Sequence, residues 1–197
     1  MNPRKKKARL APRAIQAVQL KITLKYIQPP IWRRIVVSDR TSLGDLHWVI
    51  QKVMGWDDDH MHAFYIDDIE YAGPETAEDC GGLCDYDFCL HQVIKRPGQK
   101  FTYEYDFGDR WMHAILVEKI EPAADSMILP RCVRGARACP REDCGGVGGY
   151  ESMLEVKRNP TKERLSYWGE PSWVLEFEPE SFDLEAVNRR IQPSQQP

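Results

Sequence analysis

The stretch Tyr103–Glu118, YEYDFGDRWMHAILVE, decides how this chain folds. Apolar and polar side chains alternate on both sides of Gly108 and Asp109, which is the period of two paired strands. Gly108 and Asp109 read as a two-residue turn of the kind that begins with glycine. That turn sets Asp106 opposite Trp111 and Glu104 opposite His113. One face of the ribbon then carries Phe101, Tyr103, Tyr105, Phe107, Met112, Ala114 and Leu116, while the other gathers Glu104, Asp106, Trp111 and His113.

The same two-residue period runs through Val18, Leu20, Ile22, Leu24 and Tyr26, marking a strand with one buried face. Pro29 and Pro30 end it, and Ile31–Val37 resumes an extended pattern beside it. Ser42 caps a helix in which Leu43, Leu46, His47, Ile50, Val53 and Met54 form one stripe, and Gly55 is placed to end it in a left-handed conformation. In Trp56–Ile66, WDDDHMHAFYI, a strand would put His60, His62, Phe64 and Ile66 on a common face. Residues 67–92 read as an irregular insertion with a short helix near Leu90. Helical patterns return at 150–158 and 161–168, and Asp183 caps a last helix, Leu184–Ile191. These elements define an α+β fold: a mostly antiparallel sheet with hairpins, packed against several helices in a single compact domain. Residues 14–191 form that domain, between a disordered basic tail at 1–13 and a short disordered tail at 192–197.

The chain has 197 residues, of which 42% are apolar and 29% charged, the balance of a soluble globular domain that buries a core. No apolar run approaches the ~20 residues that span a bilayer, so the expected setting is cytoplasmic, without a membrane partner. In a reducing compartment the six cysteines are thiols or metal ligands rather than disulfides. The net charge of −3 conceals an uneven distribution. Arg4, Lys5, Lys6, Lys7, Arg9 and Arg13 crowd the N-terminus without an acid. Between Lys52 and Lys95 there is no Lys or Arg, while aspartates and glutamates accumulate. Such a body repels phosphate backbones, leaving the tail as the sole place for nucleic acid.

Two ligand sets and one pocket emerge from the residues. Asp106, Asp109, Trp111 and His113 outline an acidic, aromatic pocket suited to a basic protein segment or a small ligand. Glu104 and His113, about 5 Å apart at Cβ in this register, can share a divalent metal such as zinc, with His60 and His62 as further ligands. The structural alternative is a Glu–His pair with Asp109 fixing the turn. Cys132, Cys139 and Cys144 are an alternative thiolate set, although they lack the paired Cys-x2-Cys knuckles of zinc ribbons. Gly145–Gly149, GGVGG, lacks the Lys-Ser/Thr of a phosphate loop and reads as a tight backbone path.

Several motifs in order carry a family resemblance: PPIWR at 29–33, GWDDDHMHAF at 55–64, YDFGDRWMH at 105–113, PRC at 130–132, CPREDCGG at 139–146, and Gly149 with Tyr150. From about Val18 to Ile191 the chain resembles the plasmid pRiA4b Orf-three-like family. The resemblance implies a compact α+β domain of plasmids, insertion elements and chromosomes, with no activity attached. Some members are labelled resolvase-like passengers of insertion elements. The residues for strand transfer are not found here, neither a serine amid arginines near the N-terminus nor an Arg, His-x-x-Arg and Tyr set. Arg141 and the Cys80–Cys89 insertion depart from the family pattern. The expected function is therefore a non-catalytic or regulatory binding domain associated with mobile elements. The alternatives are a metal-dependent hydrolase using His60, His62, Glu104 and His113, and a DNA-associated accessory protein acting through the tail.

Overall fold

The computed structural model describes residues 13–169 and 171–192. Most of the basic N-terminal tail and the end of the C-terminal tail lie outside the described residues. Arg13 is described, and its guanidinium lies 2.8 Å from the buried carboxylate of Asp39.

Alternating burial builds the sheet. β1 (Gln16–Leu24) turns Val18, Leu20, Ile22 and Leu24 inward, and β2 (Trp32–Ser38) pairs with it antiparallel, Leu20 opposite Ile35. Five more strands extend the sheet on the other side of β1: β3 (His62–Ile66), β4 (Ile69–Ala72), β5 (Leu83–Cys84), β6 (Lys100–Tyr105) and β7 (Trp111–Pro122). β8 (Arg131–Ala136) adds an edge strand beside β2 that no periodicity in the sequence marked. Among the described residues the sheet order is β5-β4-β3-β6-β7-β1-β2-β8, antiparallel throughout except for the short β4–β5 pair.

One face of this sheet is the core. α1 (Leu43–Met54) lies on it because its apolar stripe, Leu43, Leu46, Ile50 and Val53, is buried. Ser42 Oγ accepts the Asp45 amide at 2.9 Å, and Gly55 ends the helix at φ 91°, as the capping residues dictate. α4 (Gly146–Arg158) and α7 (Leu184–Ile191) contribute Tyr150, Met153, Val156, Val187 and Ile191 to the same core. The insertion contains α2 (Pro74–Cys80) and α3 (Leu90–Val93), the latter at the place the sequence indicated. α5 (Lys162–Ser166) and α6 (Pro171–Glu176) complete the helices described. Arg33 ties the layers together: its buried guanidinium donates to the carbonyls of Val53 (3.0 Å), Ala136 (3.0 Å) and Trp32 (2.9 Å). Among the described residues no helix is long and apolar enough to cross a membrane.

Candidate metal centre

The β6–β7 turn differs from its expected form, and the site follows from the difference. Tyr105 pairs with Trp111, Glu104 with Met112 and Tyr103 with His113, so five residues, Asp106–Arg110, form the loop. Asp106 makes the longer turn possible. It adopts φ 56°, and its Oδ1 accepts the amides of Gly108 (2.9 Å) and Asp109 (3.2 Å), while Arg110 N–H donates to the Asp106 carbonyl (2.6 Å). Asparagine and aspartate tolerate this region and close such turns with their own side chains.

A register slip of one residue exchanges the faces of a strand. Trp111 and His113 consequently point into the core, both fully buried, and Glu104 points to the opposite surface. His113 lies edge-on to Trp56, and burial lowers its pKa to about 3. Glu104 accepts from Tyr65 Oη (3.1 Å) and from Arg110 Nε (3.4 Å). The expected pocket of Asp106, Asp109, Trp111 and His113 is therefore divided between the turn and the core. Glu104 and His113 cannot share an ion, being on opposite faces. His60 and His62 are also separated: β3 begins at His62, whose Nε2 is 2.8 Å from the buried carboxylate of Asp85, whereas His60 lies in the preceding loop.

The cysteine set does not assemble either. Cys132 Sγ turns toward the Arg134 carbonyl, Cys139 Sγ toward Met54 Sδ (3.2 Å) and Cys144 Sγ toward the Gly146 carbonyl. Burial pushes all three thiols up, Cys144 to about 12, which opposes the thiolate a metal needs.

Three loops instead bring a different set together. His60 Nε2 is 3.0 Å from Asp143 Oδ1 and 3.8 Å from Asp106 Oδ2, and one ligand atom from each residue lies within 4.8 Å of the other two. Among the described residues this is the one such group of three or more His, Cys, Asp or Glu. The loops that carry it are welded at several points. Trp56 Nε1 donates to the Pro140 carbonyl (2.9 Å), and the Asp57 amide donates to Glu142 Oε2 (2.6 Å). Tyr105 Oη accepts the Asp59 amide (3.0 Å) and donates to Glu142; burial, and then the bond to Glu142, raise its pKa. Asp109 Oδ2 accepts the Gly145 amide (3.1 Å). Gly146, at φ 65°, passes so close to the Asp109 carbonyl that a Cβ there would stand 2.5 Å from its oxygen, which accounts for part of the glycine run. Sequence reasoning named His60 and Asp106 but missed Asp143, whose partner His60 is 83 residues away.

Behind the corner lies a buried polar layer. The His47 and His62 rings stack with centroids 3.4 Å apart and planes 5° from parallel. Gln51 donates to Tyr103 Oη (2.9 Å), so the Tyr103 proton goes to His47 Nδ1 (2.7 Å), and His47 Nε2–H donates to Asp58 (2.7 Å). Burial, reinforced by His62 across the stack, holds His47 at about 3, and burial raises Asp58. A cavity of about 390 Å³ opens beside His60 and His62, lined also by Asp58, Asp59, Gly73 and Glu75.

The fold and this corner define a single-domain α+β protein whose open antiparallel sheet ends in three interlocked loops. The chain belongs to the plasmid pRiA4b ORF-3-like protein family, which it matches over residues 16–186. It is 35% identical over 148 residues to the uncharacterized protein y4hQ of Sinorhizobium fredii (strain NBRC 101917 / NGR234), covering 75% of this chain and 76% of that one. The crystal structure of a protein of unknown function, MM3350 from Methanosarcina mazei Go1, is similar with a TM-score of 0.76 and 33% identity, over 89% of this chain and 98% of the other.

Proposed function

We propose that the protein is a non-catalytic or regulatory binding domain, associated with mobile elements, that takes a divalent cation at the corner formed by His60, Asp106 and Asp143. The convergence of these three ligand atoms within 4.8 Å carries the reading. One imidazole and two carboxylates suit zinc, manganese or iron. Asp106 spends Oδ1 on the turn and keeps Oδ2 toward His60, so binding leaves the loop intact. Three protein ligands leave coordination positions for water or for a ligand's own donor. Asp57, Asp59, Asp109 and Glu142, in the same loops, add negative charge that favours a cation.

Titration of the purified, metal-free protein with zinc and with manganese, followed calorimetrically, is expected to show one equivalent bound. His60→Ala and Asp143→Asn should each weaken it by at least about ten-fold, since the loss of an outer-shell partner alone costs that much, with unchanged circular dichroism. Wild-type protein that binds neither ion would overturn the proposal. The adjoining cavity supports a second reading, metal-dependent hydrolysis by a cation-bound water. Ester or phosphoester turnover by the metal-loaded protein, lost in His60→Ala, distinguishes it from binding alone.

A further inference from the structure

The surface of the sheet opposite the core carries a line of cations that the strand register makes continuous. Arg134 of β8 stands opposite Arg34 of β2, Arg34 opposite Lys21 of β1, Lys21 opposite Leu116 of β7, and Leu116 opposite Lys100 of β6. Strands lie about 4.8 Å apart, so four cations occupy five positions along roughly 19 Å. Like charges directly opposite one another across a ladder are destabilising. Arg34 has a partner, Glu118, at 2.5 and 2.7 Å. Lys21, Lys100 and Arg134 make no ion pair among the described residues. Two residues along the strands, about 7 Å away, runs a second row, Ala136, Trp32, Thr23, Ala114, Thr102 and Tyr65, which meets acids only at its far end, where Tyr65 stands opposite Glu70 and donates to Glu104. Trp32 is half-buried, with the Lys21 ammonium and the Arg34 guanidinium each 5.2 Å from its ring centre.

We infer that this face is a platform for single-stranded nucleic acid, with phosphates along Arg134, Lys21 and Lys100 and bases on the shelf around Trp32. Charge complementarity selects a polyanion. The row of cations, and the half-buried Trp32 ring beside it, select one that carries stackable rings close to its charges. A carboxylate-rich peptide has no use for the shelf, and a duplex hides its base faces inside the helix. A base that stacks on Trp32 frees Lys21 to meet the adjoining phosphate. This surface is built from residues other than those of the basic N-terminal segment and of the acidic corner.

Fluorescence polarisation of a labelled dodecathymidylate with the full-length protein tests the inference. Three unpaired cations predict a log–log salt slope near −2, at ~0.7 per contact, or a loss of about twenty-fold between about 50 and 200 mM salt. Lys21→Glu combined with Arg134→Glu should abolish most binding and flatten the slope. Trp32→Ala should weaken binding about ten-fold and leave the slope unchanged. Thermal melts establish that each variant is folded. The inference is overturned by absence of binding at low salt, or by binding that survives the charge reversals. It is equally overturned if binding disappears when Lys5, Lys6 and Lys7 become Gln, or if a duplex or polyglutamate binds as well.

Discussion

Arg33 is a cation placed where carboxylates are not. Its guanidinium, 3% exposed, is satisfied by three backbone carbonyls and by the face of Phe182, 4.7 Å away. Truncation would leave those acceptors dry and open a cavity between α1 and β8. Arg33→Ala is expected to cost about 3 kcal/mol or more in urea unfolding. Arg33→Lys should recover little of it, since an ammonium cannot reproduce the planar fork that reaches three carbonyls at once. The PPIWR motif marked this residue, yet nothing in its charge announced that it would be buried. At the metal corner the residue types were legible in His60 and Asp106, but Asp143 was not. Its role depends on a contact across 83 positions, which no local pattern encodes.

Among elements, α1 was readable because its cap, its stripe and its terminating glycine all agree. β1 was readable because one buried face imposes a strict alternation. β8 was not, because an edge strand with only Cys132 fully buried has little alternation to show. The β6–β7 ribbon was misread at its turn. Gly108–Asp109 has the composition of a tight hairpin, whereas the Asp106 side chain closes a longer one and moves every facing residue by one place. The glycine run entering α4 gives a direct test of how the loops are welded. Gly146→Ala combines a positive φ with a Cβ 2.5 Å from the Asp109 carbonyl oxygen, and should destabilise by on the order of 2–4 kcal/mol. Gly148→Ala meets nothing within 4 Å and should instead stabilise the helix by about 0.5–1 kcal/mol. Paired chemical denaturation curves check both.

For the molecule as a whole, the buried imidazoles set a dependence of stability on pH. His47 and His113 are held at about 3, against 6.5 for the free side chain. Between those values the unfolded chain binds protons that the folded one refuses, so stability is complete above pH 6.5 and falls as the pH drops toward 3. Each imidazole adds up to about 1.4 kcal/mol per pH unit within that window. Asp58, raised by burial, acts in the opposite sense. The urea midpoint should thus be flat above neutrality and decline below pH 6.5, with a shallower decline in His113→Phe. The same ribbon that seals His113 inside has a parity. Removing or adding one amino acid between Tyr105 and Trp111 would turn β7 inside out, sending an imidazole and an indole into water and Met112 into the core. Length changes tolerated at that bend should therefore come in twos.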